Sequence, residues 1–411
     1  MAIRHNYLLI AGIVLLAFAL RMWGVADLRS YNGDEAYHIP ALKTYIETGH
    51  SLEWIHPPMK YFLLYGSMKL FGDNPYGWRM KNVLFGTLTI FAVYLLAGAL
   101  FEQPKIASVA ALLFAVDPLH IVLSRSTYGE IPTVFFFVLC VYITVRFVKE
   151  EIASPLLAGI FFGIVLADRW YYLIALAVLL TFVLYHKARS TGWLDAMHLL
   201  SVYLVLPFGI YLASFFIWFG RGHTLAEFFP LQVDMYRELQ SMRLDNFQFQ
   251  FSKFLPSIPW SWFLKPLISV IPYGGTGSFG NFFVIMNNPF VWLTVLPATA
   301  YMAYHAVKYR EPFALFVLAL FSATYLQFVL VKRPIFIYSA LTVLPFAFIA
   351  VSYSFNKISE SFSERIRTGV YWGMTSAILI VGCYLYPFTT GKAVPVLFYK
   401  PLLAIGNTVL M

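Results

Sequence analysis

The sequence predicts an all-α polytopic membrane protein, and three observations support that prediction. Hydrophobic residues make up 60% of the 411-residue chain and charged residues only 12%, whereas soluble domains have about 25% charged residues. The apolar segments run for about 17 to 22 residues, long enough to cross a bilayer as helices. They lack the two-residue alternation of outer-membrane strands. We therefore expect a single transmembrane domain over residues 1–411 with about eleven transmembrane helices.

Each predicted span is an apolar segment bounded by charged or turn-forming residues. The first resembles a signal peptide because Arg4 and His5 precede it, but no small-residue cleavage site follows, so we expect a retained anchor. The segment at 155–167 is short for a span. Lysine and arginine residues gather in every second turn between the predicted spans. Because cytoplasmic turns carry an excess of these residues, the N-terminus is expected in the cytoplasm. The spans are expected at about residues 7–26, 81–100, 106–123, 131–148, 155–167, 171–186, 198–219, 289–307, 313–331, 337–353 and 368–387.

The first long polar interruption, at residues 28–78, is expected outside the membrane. Ile39, Leu42 and Ile46 recur there at helical spacing, which predicts an amphipathic helix on the membrane surface. The proline pair at 57–58 is expected to open a second, interfacial helix. This loop therefore supplies two short helices next to its charged residues.

A second outer loop is expected at residues 220–287. Its first part, residues 225–242, is patterned as another amphipathic helix. The remainder is rich in Trp, Pro and Gly and is expected to be irregular. Long loops of this kind are usually functional.

Adjacent carboxylates open the first loop. Asp34 and Glu35 follow the turn signal Asn32-Gly33, so Asp34 either caps the surface helix or acts as a base. A hydroxyl is a poor nucleophile until its proton is drawn away, and a fixed carboxylate can do this. Neighbouring acids point in different directions, so only one can face the hydroxyl. We prefer Asp34 and keep Glu35 as a second catalytic candidate.

Glu130 is a third catalytic candidate, at the outer end of a predicted span. It either forms an interfacial ion pair or N-terminal helix charge, or it orients an acceptor. His38 and His56 are structural hydrogen-bonding groups or contacts for a substrate. Together with Asp34 and Glu130 they could hold a divalent metal ion, although no spacing here has the specificity of a His-Glu-x-x-His helix.

Seven cations lie at predicted outer ends of spans, against the usual excess of positive charge inside. Each alone can be explained as a snorkelling anchor. Together they indicate an anionic partner at the outer leaflet, and phosphate matches the guanidinium fork. The seven are Arg79, Lys81, Arg125, Arg169, Lys265, Lys332 and Arg333.

Two further composition features bear on ligands. Trp260, Trp262 and Tyr273 form an interfacial aromatic belt or stack on a sugar or peptide. The net charge of +9 has no soluble basic domain to present it, so nucleic acid is not an expected partner.

A set of short motifs keeps its order over most of the chain. In the first loop these are Gly33-Asp34-Glu35-Ala36-Tyr37-His38, His56-Pro57-Pro58-Met59 and Gly77-Trp78-Arg79. Later ones are Ser124-Arg125 with Glu130, Arg169-Trp170, Trp260-Ser261-Trp262-Phe263-Leu264-Lys265-Pro266, Asn288-Pro289-Phe290-Val291-Trp292, and Lys332-Arg333-Pro334 with Tyr338. These motifs resemble those of the protein O-mannosyltransferases, a family of the GT-C superfamily of membrane glycosyltransferases.

The resemblance implies a GT-C type fold and an inverting transfer of a sugar, mannose in first place, from a polyprenyl-phosphate donor to a Ser or Thr hydroxyl of a protein. It implies a multi-pass protein of the plasma membrane with its active site outside the cytoplasm, and Asp34 as the base. The donor phosphate would be held by Arg79, Arg125, Arg169, Lys332, Arg333 and Tyr338. Contacts to acceptor or sugar would come from His38, His56, Trp260 and Trp262.

This sequence departs from the family pattern at several points, so acceptors other than a protein remain alternatives. Glu130 stands where the family has aspartate, Lys60 where it tends to have glycine, and the second loop holds no carbohydrate-binding insert. One alternative moves aminoarabinose or another sugar to a glycolipid or cell-surface polymer. An alternative of another class is a flippase for lipid-linked sugars, which would place charges near the midplane. The polar groups here gather at one face, which favours an enzyme.

Overall fold

A computed structural model describes residues 7–50, 52–187, 192–241, 258–276, 279–329, 331, 334–395 and 397–398. The chain is predominantly helical, as predicted. The first half consists of α1 (Tyr7–Met22), α2 (Glu35–Thr48), α3 (Met59–Phe71), α4 (Pro75–Phe101), α5 (Pro104–Val116), α6 (Pro118–Ser124), α7 (Glu130–Val148), α8 (Leu156–Leu166) and α9 (Leu173–Lys187). The second half contains the helices α10 (Trp193–Leu200), α11 (Leu206–Ala213), α12 (Phe216–Gly220), α13 (Leu225–Ser241), α14 (Pro289–Trp292), α15 (Val295–Tyr309), α16 (Pro312–Val329), α17 (Leu344–Ser359) and α18 (Glu364–Thr390).

Membrane-length helices confirm the multi-pass architecture. Within the described residues seven helical segments are long and apolar enough to cross a bilayer, or eight if α5 and α6 count as one span. Helices α1 and α8 are apolar but shorter, at 16 and 11 residues. The predicted number of eleven spans is therefore not confirmed.

The α5 and α6 axes differ by 59°, and the sequence at the break explains the bend. Asp117 is extended (φ −66°, ψ 123°) because Pro118 follows it. Its carboxylate caps α6 by accepting a hydrogen bond from the backbone N–H of His120 (3.0 Å). The second carboxylate oxygen accepts from Trp292 Nε1 (2.9 Å), which fixes the break against α14.

The predicted helices of the outer loops are present. Helix α2 covers the predicted amphipathic stretch, α3 begins after Pro58, and α13 matches the predicted 225–242 helix to within one residue. The apolar face of α2 does not lie on the membrane surface as predicted. Ile39 and Leu42 are fully buried against Leu64 of α3 and Trp78 of α4. Protein packing therefore replaces lipid as the partner of this face.

Strands occur where the second loop was expected to be irregular. β1 (Ile268–Thr276) and β2 (Phe279–Met286) pair antiparallel, and β3 (Ala393–Pro395) adds to the free edge of β2. Both long strands are rich in the β-branched and aromatic residues that favour extended backbone. The abundance of Gly and Pro around them obscured this pattern in the sequence.

Hydrogen bonds join the first outer loop to two short turns at one end of the helices, here named the site end. The N–H of Met59 donates to the Ala167 carbonyl (3.1 Å), which ties the first loop to the α8–α9 turn. Ser126 Oγ donates to the Asn32 carbonyl (3.1 Å), which ties it to the α6–α7 turn. The site end therefore brings distant parts of the sequence together.

Candidate functional site

Asp34 lies at the N-cap position of α2, but its side chain makes no capping hydrogen bond. The preceding Gly33 adopts a left-handed conformation (φ +55°), and a Cβ there would lie 2.9 Å from the Tyr128 hydroxyl oxygen. A side chain at position 33 would therefore be strained and crowded. The Asp34 carboxylate at this turn is half-buried and makes no hydrogen bond that caps the helix.

Glu35 points elsewhere and forms a buried ion pair with Arg79. Arg79 Nε and Nη2 donate to Oε1 and Oε2 of Glu35, both at 2.8 Å. The other Arg79 N–H groups donate to the carbonyls of Val25, Leu28 and Ser30. A guanidinium has five N–H groups, and all five are engaged. This geometry fits neither the predicted phosphate role of Arg79 nor a catalytic role of Glu35: the pair instead holds the loop in place.

Arg125 also donates hydrogen bonds to backbone carbonyls. Its Nη1 donates to the carbonyls of Leu20 (3.2 Å), Arg21 (3.1 Å) and Trp23 (2.7 Å) at the end of α1. The last carbonyls of a helix lack intrahelical partners, so this guanidinium supplies donors for them. Arg125 thus caps α1 through Nη1, and the phosphate contact predicted for it stays a prediction.

Glu130 and Arg169 meet in a buried cluster. Glu130 begins α7, and its Oε1 lies 3.2 Å from Arg169 Nη2. Arg169 Nη1 lies 3.5 Å from Asp168 Oδ1, and the Thr133 hydroxyl donates to Asp168 Oδ2. Gly129 makes room for this pairing, because a Cβ there would lie 2.6 Å from Arg169 Nη2. The structure therefore shows the ion-pair alternative for Glu130, and its partner is Arg169.

Glu53 is a site residue that the sequence analysis missed. Its Oε2 lies 3.1 Å from His38 Nε2, and its Oε1 lies 2.8 Å from Lys60 Nζ. His38 Nδ1 lies 2.9 Å from the Thr127 carbonyl, which can only accept. His38 therefore bridges the Thr127 carbonyl and the Glu53 carboxylate, and Glu53 in turn contacts Lys60.

The carboxyl groups in this region differ in acidity. Burial raises the pKa of Asp34 to about 6, with Glu130 and Glu53 adding to the rise while His38 and Lys60 oppose it. Burial also acts to raise the pKa of Glu53, but His38, Lys60 and His56 outweigh it and hold that pKa well below its ordinary value. Asp34 is therefore the carboxyl whose pKa suits a base near neutral pH.

These charges form one group, here named the acid–cation cluster: Asp34, His38, Glu53, Lys60, Glu130, Asp168 and Arg169. Asp34 interacts electrostatically with Glu130, and Lys60 with Arg169 and Asp168, so the two ion-paired groups adjoin. The buried Lys81, whose Nζ donates to Asn82 Oδ1 (2.7 Å), borders the cluster as well. The first loop and the α6–α7 and α8–α9 turns each contribute residues.

The remaining predicted residues lie in different surroundings. Tyr338 packs against Tyr128 with ring centroids 5.5 Å apart, and Tyr128 in turn interacts electrostatically with Asp34. His56 adjoins Glu53. Trp262 is fully buried against Tyr325 and Phe328, which makes it a core residue, while Trp260 is 56% exposed.

Two predicted phosphate ligands fall in a part of the chain that the structure does not describe. Lys332 and Arg333 lie outside the described residues, so their predicted phosphate contacts stay predictions. Over the described part of the chain, no group of three or more His, Cys, Asp and Glu residues is arranged to hold a metal ion. The acid–cation cluster supplies ion-paired carboxylates instead.

Comparison with known proteins shows similarity to one family and a shared fold. Residues 55–218 match the family model for dolichyl-phosphate-mannose-protein mannosyltransferase. The polyprenol-phosphate-mannose–protein mannosyltransferase of Mycolicibacterium smegmatis is 22% identical over 405 residues, which cover 82% of this chain and 78% of the relative.

Two solved structures align with nearly the whole chain. The S. cerevisiae protein O-mannosyltransferase Pmt1-Pmt2 complex bound to the sugar donor matches with a TM-score of 0.76 at 13% identity, covering 94% of this chain and 90% of the other. ArnT from Cupriavidus metallidurans bound to undecaprenyl phosphate matches with a TM-score of 0.60 at 15% identity. The match covers 98% of this chain and 71% of the ArnT chain. This multi-pass membrane protein therefore has the GT-C fold of membrane glycosyltransferases and is similar to the protein O-mannosyltransferases.

Proposed function

We propose that the protein transfers a sugar, mannose in first place, from a polyprenyl-phosphate donor to a Ser or Thr hydroxyl of a protein. The observation that supports this most is the uncapped, half-buried Asp34 carboxylate beside ion-paired cations at the site end. The site end faces the extracytoplasmic side of the plasma membrane. Both outer loops, residues 28–78 and 220–287, belong to the single transmembrane domain that carries the site.

The reaction is a single displacement at the anomeric carbon. Asp34 accepts the proton of the acceptor hydroxyl as its oxygen forms the new glycosidic bond. The bond between the anomeric carbon and the phosphate oxygen breaks, and its electron pair leaves with polyprenyl phosphate. The anomeric centre is inverted.

The cations act on the leaving group. A phosphodiester with one negative charge becomes a monoester with additional negative charge, so fixed cations favour the transition state over the ground state. Lys60 and Arg169 are the cations of the cluster that do this. Tyr338 packs on Tyr128, which interacts electrostatically with Asp34 and Glu130. Glu53 orients Lys60, while Glu130 and Asp168 orient Arg169.

The pH dependence of transfer follows from Asp34. Only the ionised carboxylate accepts a proton, and the pKa of Asp34 is raised to about 6. We expect kcat/KM to fall about tenfold per pH unit as the pH drops below about 6. The measurement is kcat/KM for the acceptor against pH, made with purified protein at acceptor concentrations below KM. An acidic limb near the ordinary carboxyl value of about 4 would contradict this assignment.

Substitution of Arg169 tests the phosphate contact. We expect Arg169→Ala to raise KM for the donor by about tenfold to a hundredfold, because hydrogen bonds to charged groups are worth about 1.5 to 3 kcal/mol. Arg169→Lys keeps the charge but loses the planar fork, so it should recover only part of the affinity. Arg146→Ala, at the opposite end of α7, is the control. A donor KM that is unchanged in Arg169→Ala would oppose the role.

An assay with purified protein distinguishes the proposed function from its alternatives. Detergent-solubilised protein is incubated with labelled polyprenyl-phosphate mannose and a Thr-containing peptide, and the peptide is analysed by mass spectrometry. We expect the peptide to gain a hexose. Transfer to a glycolipid acceptor but to no peptide would favour the glycolipid alternative. Donor that crosses vesicle membranes without being consumed would favour a flippase.

A further inference from the structure

A cavity of about 270 Å³ lies between the first outer loop and helices α12 and α13. Its floor is apolar and aromatic and includes Tyr61, Trp218 and Met235, each less than a tenth exposed. Trp54 and His56 are at its rim. The mechanism described above uses none of the floor residues.

The cavity is held open by contacts between the two outer loops. Arg221 Nη2 donates to the carbonyls of Ile46 (3.2 Å) and Glu47 (2.5 Å) at the end of α2. The Arg221 side chain lies beside Gly49, where a Cβ would approach its Cγ to 2.4 Å. His223 stacks on Trp218 with ring centroids 4.3 Å apart. These contacts make the cavity a pre-formed feature of the fold.

The rim adjoins the acid–cation cluster. Trp54 directly follows Glu53 in the chain, and Glu53 lies 3.1 Å from His38. His38 is one helical turn, about 5.4 Å, from Asp34. An extended polypeptide advances about 3.3 to 3.6 Å per residue. A chain with its hydroxyl at Asp34 therefore reaches the rim within about two to four residues.

We propose that this cavity receives an apolar side chain of the acceptor polypeptide, of leucine to phenylalanine size, about two to four residues from the modified Ser or Thr. The proposal rests on the proposed function and adds a sequence preference to it. A sugar fits the floor poorly because its hydroxyls would lose hydrogen bonds to water on burial there. The polyprenyl tail must enter the bilayer, whereas none of the described residues that line the cavity lies in a membrane-length helix.

The test is transfer to a set of peptides that differ at one position. Each peptide has a single Thr in a background of Ala and Lys, with Phe or Ala placed at successive positions on either side. The enzyme is the full chain in detergent with polyprenyl-phosphate mannose. At one position two to four residues from the Thr, we expect kcat/KM to be about tenfold to a hundredfold higher for Phe than for Ala. This is the gain in binding that burial of an aromatic side chain provides.

Filling the cavity should abolish that preference. Met235→Trp is expected to bring the Phe to Ala ratio to within about twofold of unity. The matched control is Phe229→Trp on the same helix, because Phe229 is 62% exposed and does not line the cavity. Leu231→Ala enlarges the cavity and provides a second variant should Met235→Trp fail to fold: it should shift the preference from Phe toward Trp.

The outcomes separate this inference from the proposed function. Transfer to peptides with equal kcat/KM at every position, or a preference retained in Met235→Trp and unshifted in Leu231→Ala, would overturn the cavity assignment and leave the proposed function standing. A higher KM for the donor in Met235→Trp, with peptide preference intact, would assign the cavity to the lipid and also overturn it. Transfer to no peptide at all would overturn both.

Discussion

Asp34→Asn is expected to reduce kcat by about a hundredfold to ten-thousandfold, the range that a positioned general base contributes. The amide matches the shape of the carboxylate but cannot accept the hydroxyl proton. Because the side chain makes no capping hydrogen bond, the substitution should leave α2 intact. The measurement is single-turnover transfer from labelled polyprenyl-phosphate mannose to a Thr peptide.

Two controls accompany the Asp34 variant. Its thermal unfolding midpoint and its donor affinity should stay close to those of the parent, which shows that the loss is catalytic. Asp27→Asn changes an exposed acid that pairs with Lys392 outside the cluster (3.0 Å), and should transfer normally. Turnover by well-folded Asp34→Asn at the rate of the parent would refute Asp34 as the base.

Arg79→Ala is expected to lower the free energy of unfolding by about 3 to 5 kcal/mol, because it leaves the Glu35 carboxylate buried without its partner. It also removes donors from the carbonyls of Val25, Leu28 and Ser30. The measurement is thermal or denaturant unfolding in detergent. Donor affinity in any fraction that remains folded should change little, since all five N–H groups serve the loop.

The contrasting control for Arg79 is a surface ion pair. Lys43 and Asp73 lie 2.5 Å apart, but each side chain is nearly half exposed, so Lys43→Ala should cost no more than about 1 kcal/mol. If Arg79→Ala is as stable as Lys43→Ala but binds donor weakly, Arg79 is a phosphate ligand and the structural role is wrong.

Apolar segment length and local pattern were enough to predict the multi-pass helical fold and the short helices of both outer loops. They could not determine what each apolar face contacts. The α2 face was expected on lipid, yet Ile39 and Leu42 pack on α3 and α4. The strands β1 and β2 went unrecognised because their Gly and Pro residues pointed to irregular structure.

For the site, sequence identified the acids and cations but not their pairing. Arg79, Arg125 and Arg169 look alike as cations at the outer ends of spans, and only tertiary contacts show that the first two are bound by loop and helix-end carbonyls. None of the sequence motifs includes Glu53. Its importance arises from the distances to His38 and Lys60, which a linear pattern does not contain.

The most direct test of the central claim, that Asp34 acts as a base in a single displacement, is the anomeric configuration of the product. The glycopeptide is formed from donor of known configuration by the purified protein and is examined by NMR. We predict that the configuration at the anomeric carbon is opposite to that in the donor. A product with retained configuration would exclude a single displacement from the face opposite the leaving group and would contradict the account.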